Sequence, residues 1–183
     1  TVKRFVYTSS FSAIHHPMRP GYVYTEDDWA SHCRENDPNW NLQYGLINIR
    51  APQGWDLATG SAAVTIAIVD SGVDQSHREF AGKLVAGYDF VNNDSDPQDD
   101  YGHGTHVAGT IAAAHNNVGV VGVTPGAVSF YSIQVFTGAA CAWTYSSKLA
   151  DAANRCADAG ADIISMSLGG AGSNRLEERT FNN

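Results

Sequence analysis

Val64-Thr65-Ile66-Ala67-Ile68-Val69-Asp70-Ser71-Gly72 is the stretch that decides the fold. Its first six residues form a continuous β-branched and apolar run, the pattern of a strand buried on both faces inside a parallel sheet. The run ends in a carboxylate, which places Asp70 just past the C-terminal end of the strand, where open α/β sheets bind ligands. Further along, Gly102-His103-Gly104-Thr105-His106-Val107-Ala108-Gly109-Thr110 sets a histidine between glycines at the start of a small, apolar run reaching Ala114. Glycines let the backbone approach closely, and small side chains let a helix pack tightly behind them.

Outward from these two stretches, strands are expected over Leu84–Val91, Val128–Val135 and Ile163–Leu168. A short helix is expected over Ala51–Ala58, closed by Gly60. Leu149, Ala152, Ala153, Cys156 and Ala157 form one apolar stripe on a helix that Thr144 or Ser146 can cap and Gly160 ends. This alternation predicts an α/β fold, a parallel sheet with helices on both faces.

The chain has 183 residues, one domain's worth, with 18 glycines and only 16% charged residues. That composition suits a compact enzyme rather than a coiled coil or a disordered tail. The net charge of -8 comes without a basic cluster, which argues against nucleic acid and anionic membranes as partners. No apolar run is long enough to span a bilayer. No signal peptide is visible ahead of Thr1, so a processed, truncated or excerpted chain is expected. Cys33, Cys141 and Cys156 lack metal-ligand spacing. Cys156 reads as a buried thiol, and a bond to Cys141 requires the intervening loop to double back along the helix.

Taken alone, Asp70 reads as a cap or turn aspartate and His103 as a structural or solvated histidine. Together, an aspartate after a strand and a histidine 33 residues later, opening a helix, reproduce the Asp-then-His order of one type of serine-protease triad. Ala67–Asp74, the His103 stretch and Ile164-Ser165-Met166-Ser167-Leu168-Gly169-Gly170 resemble, in order, three signatures of the subtilisin-like serine proteases, and within them the calcium-rich thermitase-like branch. The likeness runs from about Asn36 to the end, giving a domain at 37–183 that is the N-terminal part of a peptidase domain, with a sheet incomplete at its C-terminus. The resemblance implies that His103 is general base and then general acid, and that Asp70 holds its tautomer. His106 is expected to pack or hydrogen-bond on the helix. The family's serine lies in a Gly-Thr-Ser-Met-type motif and its oxyanion asparagine in an Ala-Ala-Gly-Asn-type stretch, and this sequence contains neither. The chain alone is therefore expected to be inactive, since Ser71, Ser165 and Ser167 do not open a helix from a sharp turn.

The acidic loop Asn92–Tyr101 alternates Asp94 and Asp96 with Ser95, a spacing of oxygen ligands that suits a hard cation or simply a solvated turn. It is not an EF-hand, because Asp99 and Thr105 stand where that loop requires glycine and glutamate. The resemblance implies a calcium site on Asp89, Asn92, Asp94, Asp96 and Gln98, with Asn92 replacing an acidic residue. It implies a second on Asp37, Glu79, Asn117 and carbonyls near Ala114, Val118 and Val120, with Glu79 replacing an aspartate and a loop one residue short. It also implies that Cys141-Ala142-Trp143 is an edge strand pairing with extended peptide, while Ser167, Leu168 and Gly169 form the opposite wall of the cleft. Trp143 alone also reads as a surface aromatic, and Gly169-Gly170 as a tight turn.

Residues 1–36 read differently. Lys3–Ser10 is a strand leading to a hydroxyl-rich turn, and with Tyr22–Trp29 it weakly resembles NAD-dependent epimerases. No Gly-rich dinucleotide loop precedes it and no Tyr-x-x-x-Lys pair follows, so it reads as an extension, a fusion remnant or a foreign start. The expected function is serine endopeptidase on protein or peptide substrates. The resemblance adds calcium, secretion, and a companion fragment or propeptide. The alternatives are an inactive calcium- or peptide-binding fragment and, remotely, an NAD(P)-dependent oxidoreductase.

Overall fold

The computed structural model describes residues 4–7, 37–137, 142–143, 146–169 and 175–181. Strand β1 (Arg4–Tyr7) comes first, followed by a 3-10 turn over Trp40–Leu42 and two short helices, α1 (Tyr44–Asn48) and α2 (Ala51–Trp55). Then come β2 (Thr65–Asp70), a 3-10 turn over Arg78–Phe80, β3 (Leu84–Asp89), α3 (His103–Ala112) and β4 (Ser129–Gln134). A small antiparallel pair, β5 (Phe136–Thr137) and β6 (Ala142–Trp143), precedes α4 (Ser146–Asp158), β7 (Ile163–Met166) and α5 (Arg175–Phe181).

Five strands form one sheet in the order β1-β7-β2-β4-β3, each pairing parallel. The reading of β2 holds: from Ile66 onward it is buried on both sides. Its even-numbered residues Ile66 and Ile68 join Phe130, Phe80, Val107, Ala108 and Ala112 under α3. Its odd-numbered residues Ala67 and Val69 join Ile133, Ile164, Leu149, Ala152 and Cys156 under α4. Alternation along a strand thus feeds a core on each face, with a helix over each. Because the strands are parallel, Asp70, Asp89, Gln134 and Met166 all end at one edge.

The elements are shorter than their patterns. The helix expected over Ala51–Ala58 stops at Trp55, whose indole Nε1 donates to the carbonyl of Val123 at 2.7 Å and anchors the chain there. Gly60 has φ 125° and no room for a side chain, since a Cβ would meet the Ala127 carbonyl at 2.6 Å. The strand expected near Lys3–Ser10 is β1, in register on the outer edge of β7 (Phe5 with Ile164). Tyr22–Trp29 and Cys33 lie outside the described residues. Helix α5 and the turn over Arg78–Phe80 carry no periodic signal in the sequence. Cys156 is a free, buried thiol, and its expected place on the apolar face of α4 holds.

Candidate active site

Helix α3 begins at His103 because two glycines allow it. Gly102, at its N-terminus, has φ 98°, a left-handed value that side chains resist. A Cβ on Gly104 would lie 2.0 Å from the Gly72 carbonyl, so only glycine lets the first turn seat against the chain leaving β2. That seating brings His103 Nδ1 to 2.7 Å from Asp70 Oδ1. Asp70 is 1% exposed, and its Oδ1 also accepts from the Ser71 amide at 2.8 Å. Its Oδ2 is buried with no hydrogen-bond partner among the described residues.

Burial pushes the Asp70 carboxyl above its usual value, against the lowering effect of the hydrogen bonds from His103 and Ser71. When Asp70 is ionised it can only accept, so Nδ1 carries the imidazole proton and Nε2 is left with a lone pair. The His103 side chain is 32% exposed, so this bound histidine still reaches solvent. Chemically the pair is a base held in one tautomer by a desolvated carboxylate.

The other predicted residues fall into separate groups. Asp37 and Glu79 are buried and face the loop after α3. Asp37 Oδ1 accepts from the Val118 amide at 2.9 Å, while its Oδ2 is buried without a hydrogen-bond partner among the described residues, 3.9 Å from His115 Nε2. Glu79 Oε2 accepts from the Ala114 amide at 3.1 Å and from the side chain of Asn116, also at 3.1 Å. Asn116 had not been singled out in the sequence. Asn117 is exposed with φ 66°, and it is the side chain of the neighbouring Asn116 that reaches Glu79. Val120 is half-buried at the end of this loop.

In the acidic loop the oxygens are turned toward amides. Asp89 Oδ1 accepts from the Val91 amide at 2.6 Å, and its Oδ2 from the Asn92 side chain at 2.8 Å. Asp94 Oδ1 accepts from the Asp96 amide, Asp96 Oδ1 from the Gln75 side chain, and Gln98 Oε1 from the Gln75 amide. Among the described residues no three His, Cys, Asp or Glu side chains converge as a metal centre.

Ala142 and Trp143 form β6, which pairs antiparallel with β5, while Cys141 lies outside the described residues. Ser167, Leu168 and Gly169 leave β7 at the edge where β2 ends in Asp70, with Ser167 buried and Gly169 exposed. Ser71, Ser165 and Ser167 are all buried. His106 is exposed, followed by buried Val107 and Ala108, which corrects the packing half of the expectation that it packs or hydrogen-bonds on the helix. Sequence reading also passed over Asp99, whose carboxylate gathers the chain around His103. Its one signal was position, four residues ahead of the histidine. Among the described residues no helix is long and apolar enough to cross a membrane.

Residues 61–183 match the family model of the subtilase family of peptidases. Thermitase from Thermoactinomyces vulgaris is 48% identical over 150 residues, which are 80% of this chain and 52% of that protein. Subtilisin E from Bacillus subtilis (strain 168) is 35% identical over 162 residues, 82% of this chain and 38% of that one. The crystal structure of fervidolysin from Fervidobacterium pennivorans, described as a keratinolytic enzyme related to subtilisin, superposes with a TM-score of 0.72 at 29% identity, covering 93% of this chain and 26% of that chain. The chain thus spans about half of thermitase and smaller shares of the others. On a match over 61–183 that contains all three ordered stretches, the chain belongs to the subtilase family.

Proposed function

We propose that the protein is a serine endopeptidase in which His103 moves the proton and Asp70 holds the imidazole. The observation that carries this is the 2.7 Å contact between His103 Nδ1 and buried Asp70 Oδ1, with the His103 side chain 32% exposed. In the reaction, Nε2 takes the proton of a serine hydroxyl as that oxygen attacks the scissile carbonyl, then returns it to the departing amine. Asp70 stays ionised throughout and stabilises the imidazolium. The serine is supplied by a Gly-Thr-Ser-Met-type stretch on a longer or companion polypeptide, and substrate lies extended along β6, opposite Ser167–Gly169. The substrates are proteins and peptides, and the setting is extracellular.

Calcium is proposed at Asp37 and Glu79. Two buried carboxylates, one with an oxygen lacking a hydrogen-bond partner among the described residues, form an acceptor-rich donor set that a hard cation fits, completed by Asn116 and the carbonyls of the 114–120 loop. When bound, the ion would neutralise those charges and tie the N-terminal arm to the loop after α3. The Asp89–Gln98 oxygens are already held by amides and fit an ion less well.

The test is peptide hydrolysis by this chain, alone and together with a polypeptide bearing the serine stretch. Alone it should neither hydrolyse a chromogenic peptide nor take a serine-directed label. Together they should do both, and His103→Ala should lower kcat by roughly 10^2 to 10^4. Unchanged hydrolysis in that variant would refute the reading.

A further inference from the structure

The carboxylate of Asp99 accepts five hydrogen bonds from two pieces of chain, the residue after β2 and the 101–105 segment that opens α3. Oδ1 accepts from Ser71 Oγ at 2.8 Å, from the Tyr101 amide at 3.0 Å and from the Gly102 amide at 2.8 Å. Oδ2 accepts from the Thr105 amide at 2.9 Å and from the Thr105 hydroxyl at 2.5 Å. Ser71 Oγ in turn accepts from the Gly104 amide at 2.9 Å, and Thr105 Oγ1 from the Asp74 amide at 2.9 Å. The residue after Asp70 and the residues flanking His103 are therefore joined through one side chain, which touches neither Asp70 nor His103 by any hydrogen bond. The set satisfies otherwise orphaned amides at the start of α3 and places a negative charge at its positive end.

We propose that Asp99 is a positioning residue for the proposed proton transfer, locking the first turn of α3 to the end of β2 so that His103 Nδ1 stays on Asp70. The inference rests on the catalytic reading of that pair. Its physical basis is that only an ionised carboxylate offers acceptors on both oxygens. Asparagine has the same shape but turns an NH2 donor toward Ser71 or Thr105, where a donor already stands.

The test is nuclear magnetic resonance on the intact chain, read without substrate. A proton held between Nδ1 and a buried carboxylate is strongly deshielded and exchanges slowly with water. The wild-type chain should show this His103 resonance, Asp99→Asn should lose it at a temperature where the rest of the spectrum stays folded, and Thr105→Ser, which keeps the hydroxyl, should retain it. Ser71→Ala cuts the bridge without changing charge and decides the matter where Asp99→Asn fails to fold: it too should lose the resonance. A folded Ser71→Ala or Asp99→Asn chain with the wild-type resonance and only a lowered Tm overturns the proposal while leaving the catalytic reading standing. A wild-type chain without the resonance overturns both. Hydrolysis indifferent to His103 with the resonance present would remove the catalytic reading, and with it the reaction that Asp99 is proposed to serve.

Discussion

Asp70 carries its charge in a place that disfavours it, and the pH dependence of stability should show that. Its carboxyl is held above the usual 3.8 chiefly by burial, so the folded chain keeps a proton that the unfolded chain has released. Stability should therefore fall as pH rises from that value through the folded one. Denaturant midpoints across this window should show the wild type falling relative to Asp70→Asn as pH climbs; a wild type that gains on the variant over the same window would contradict the assignment. Cys156 makes the opposite case of an inert group. Burial pushes its thiol up to about 12, so iodoacetamide near neutral pH should modify it only after unfolding, which mass spectrometry would report. That burial was legible beforehand, because Cys156 shares a stripe with Leu149, Ala152 and Ala153. The role of Asp99 was not: its partners are 71, 101, 102 and 105, and their meeting is a product of the fold.

Helix α3 is the element on which the site depends, and both its ends are fastened. Asp99 holds the first turn, while Lys83, buried, reaches from the chain before β3 to donate from Nζ to the Ala112 carbonyl at 2.6 Å. A cation at the C-terminal end meets both an unsatisfied carbonyl and the negative pole of the helix. Lys83→Met keeps the stem and removes the donor, and should cost about 1–3 kcal/mol in urea denaturation. Retained stability would mean that water replaces the ammonium. The sequence showed α3 and α4 through their small and apolar runs, and β2 through its continuous burial. It did not show α5, which buries none of its residues, or the turn at Arg78–Phe80, set by His77 Nδ1 accepting from the Glu79 amide. It drew attention to Asn117 where the side chain that reaches Glu79 is that of Asn116, a difference of one position that residue type alone does not decide.

At the scale of the whole molecule, the arm that holds Asp37 is joined to the α3 loop by that carboxylate, as Glu79 is from the other side. Calcium at a hundred times its dissociation constant should raise stability by about 2.7 kcal/mol, seen as a Tm several degrees higher and reversed by a chelator. Asp37→Asn should abolish that response; an equal response in the variant would move the ion elsewhere. The order of strands carries a kinetic consequence. The central strand β2 finds its neighbour β7 only after most of the chain has passed: the Thr65 amide bonds the Asp162 carboxylate across 97 residues. Loop closure of that length has to be met before the pairing rewards it, and parallel sheets assembled this way fold slowly, over milliseconds to seconds or longer. On a ribosome β2 would wait, fully made yet flanked on one side only, until β7 had emerged, and chaperone access to that strand would be decided by translation speed.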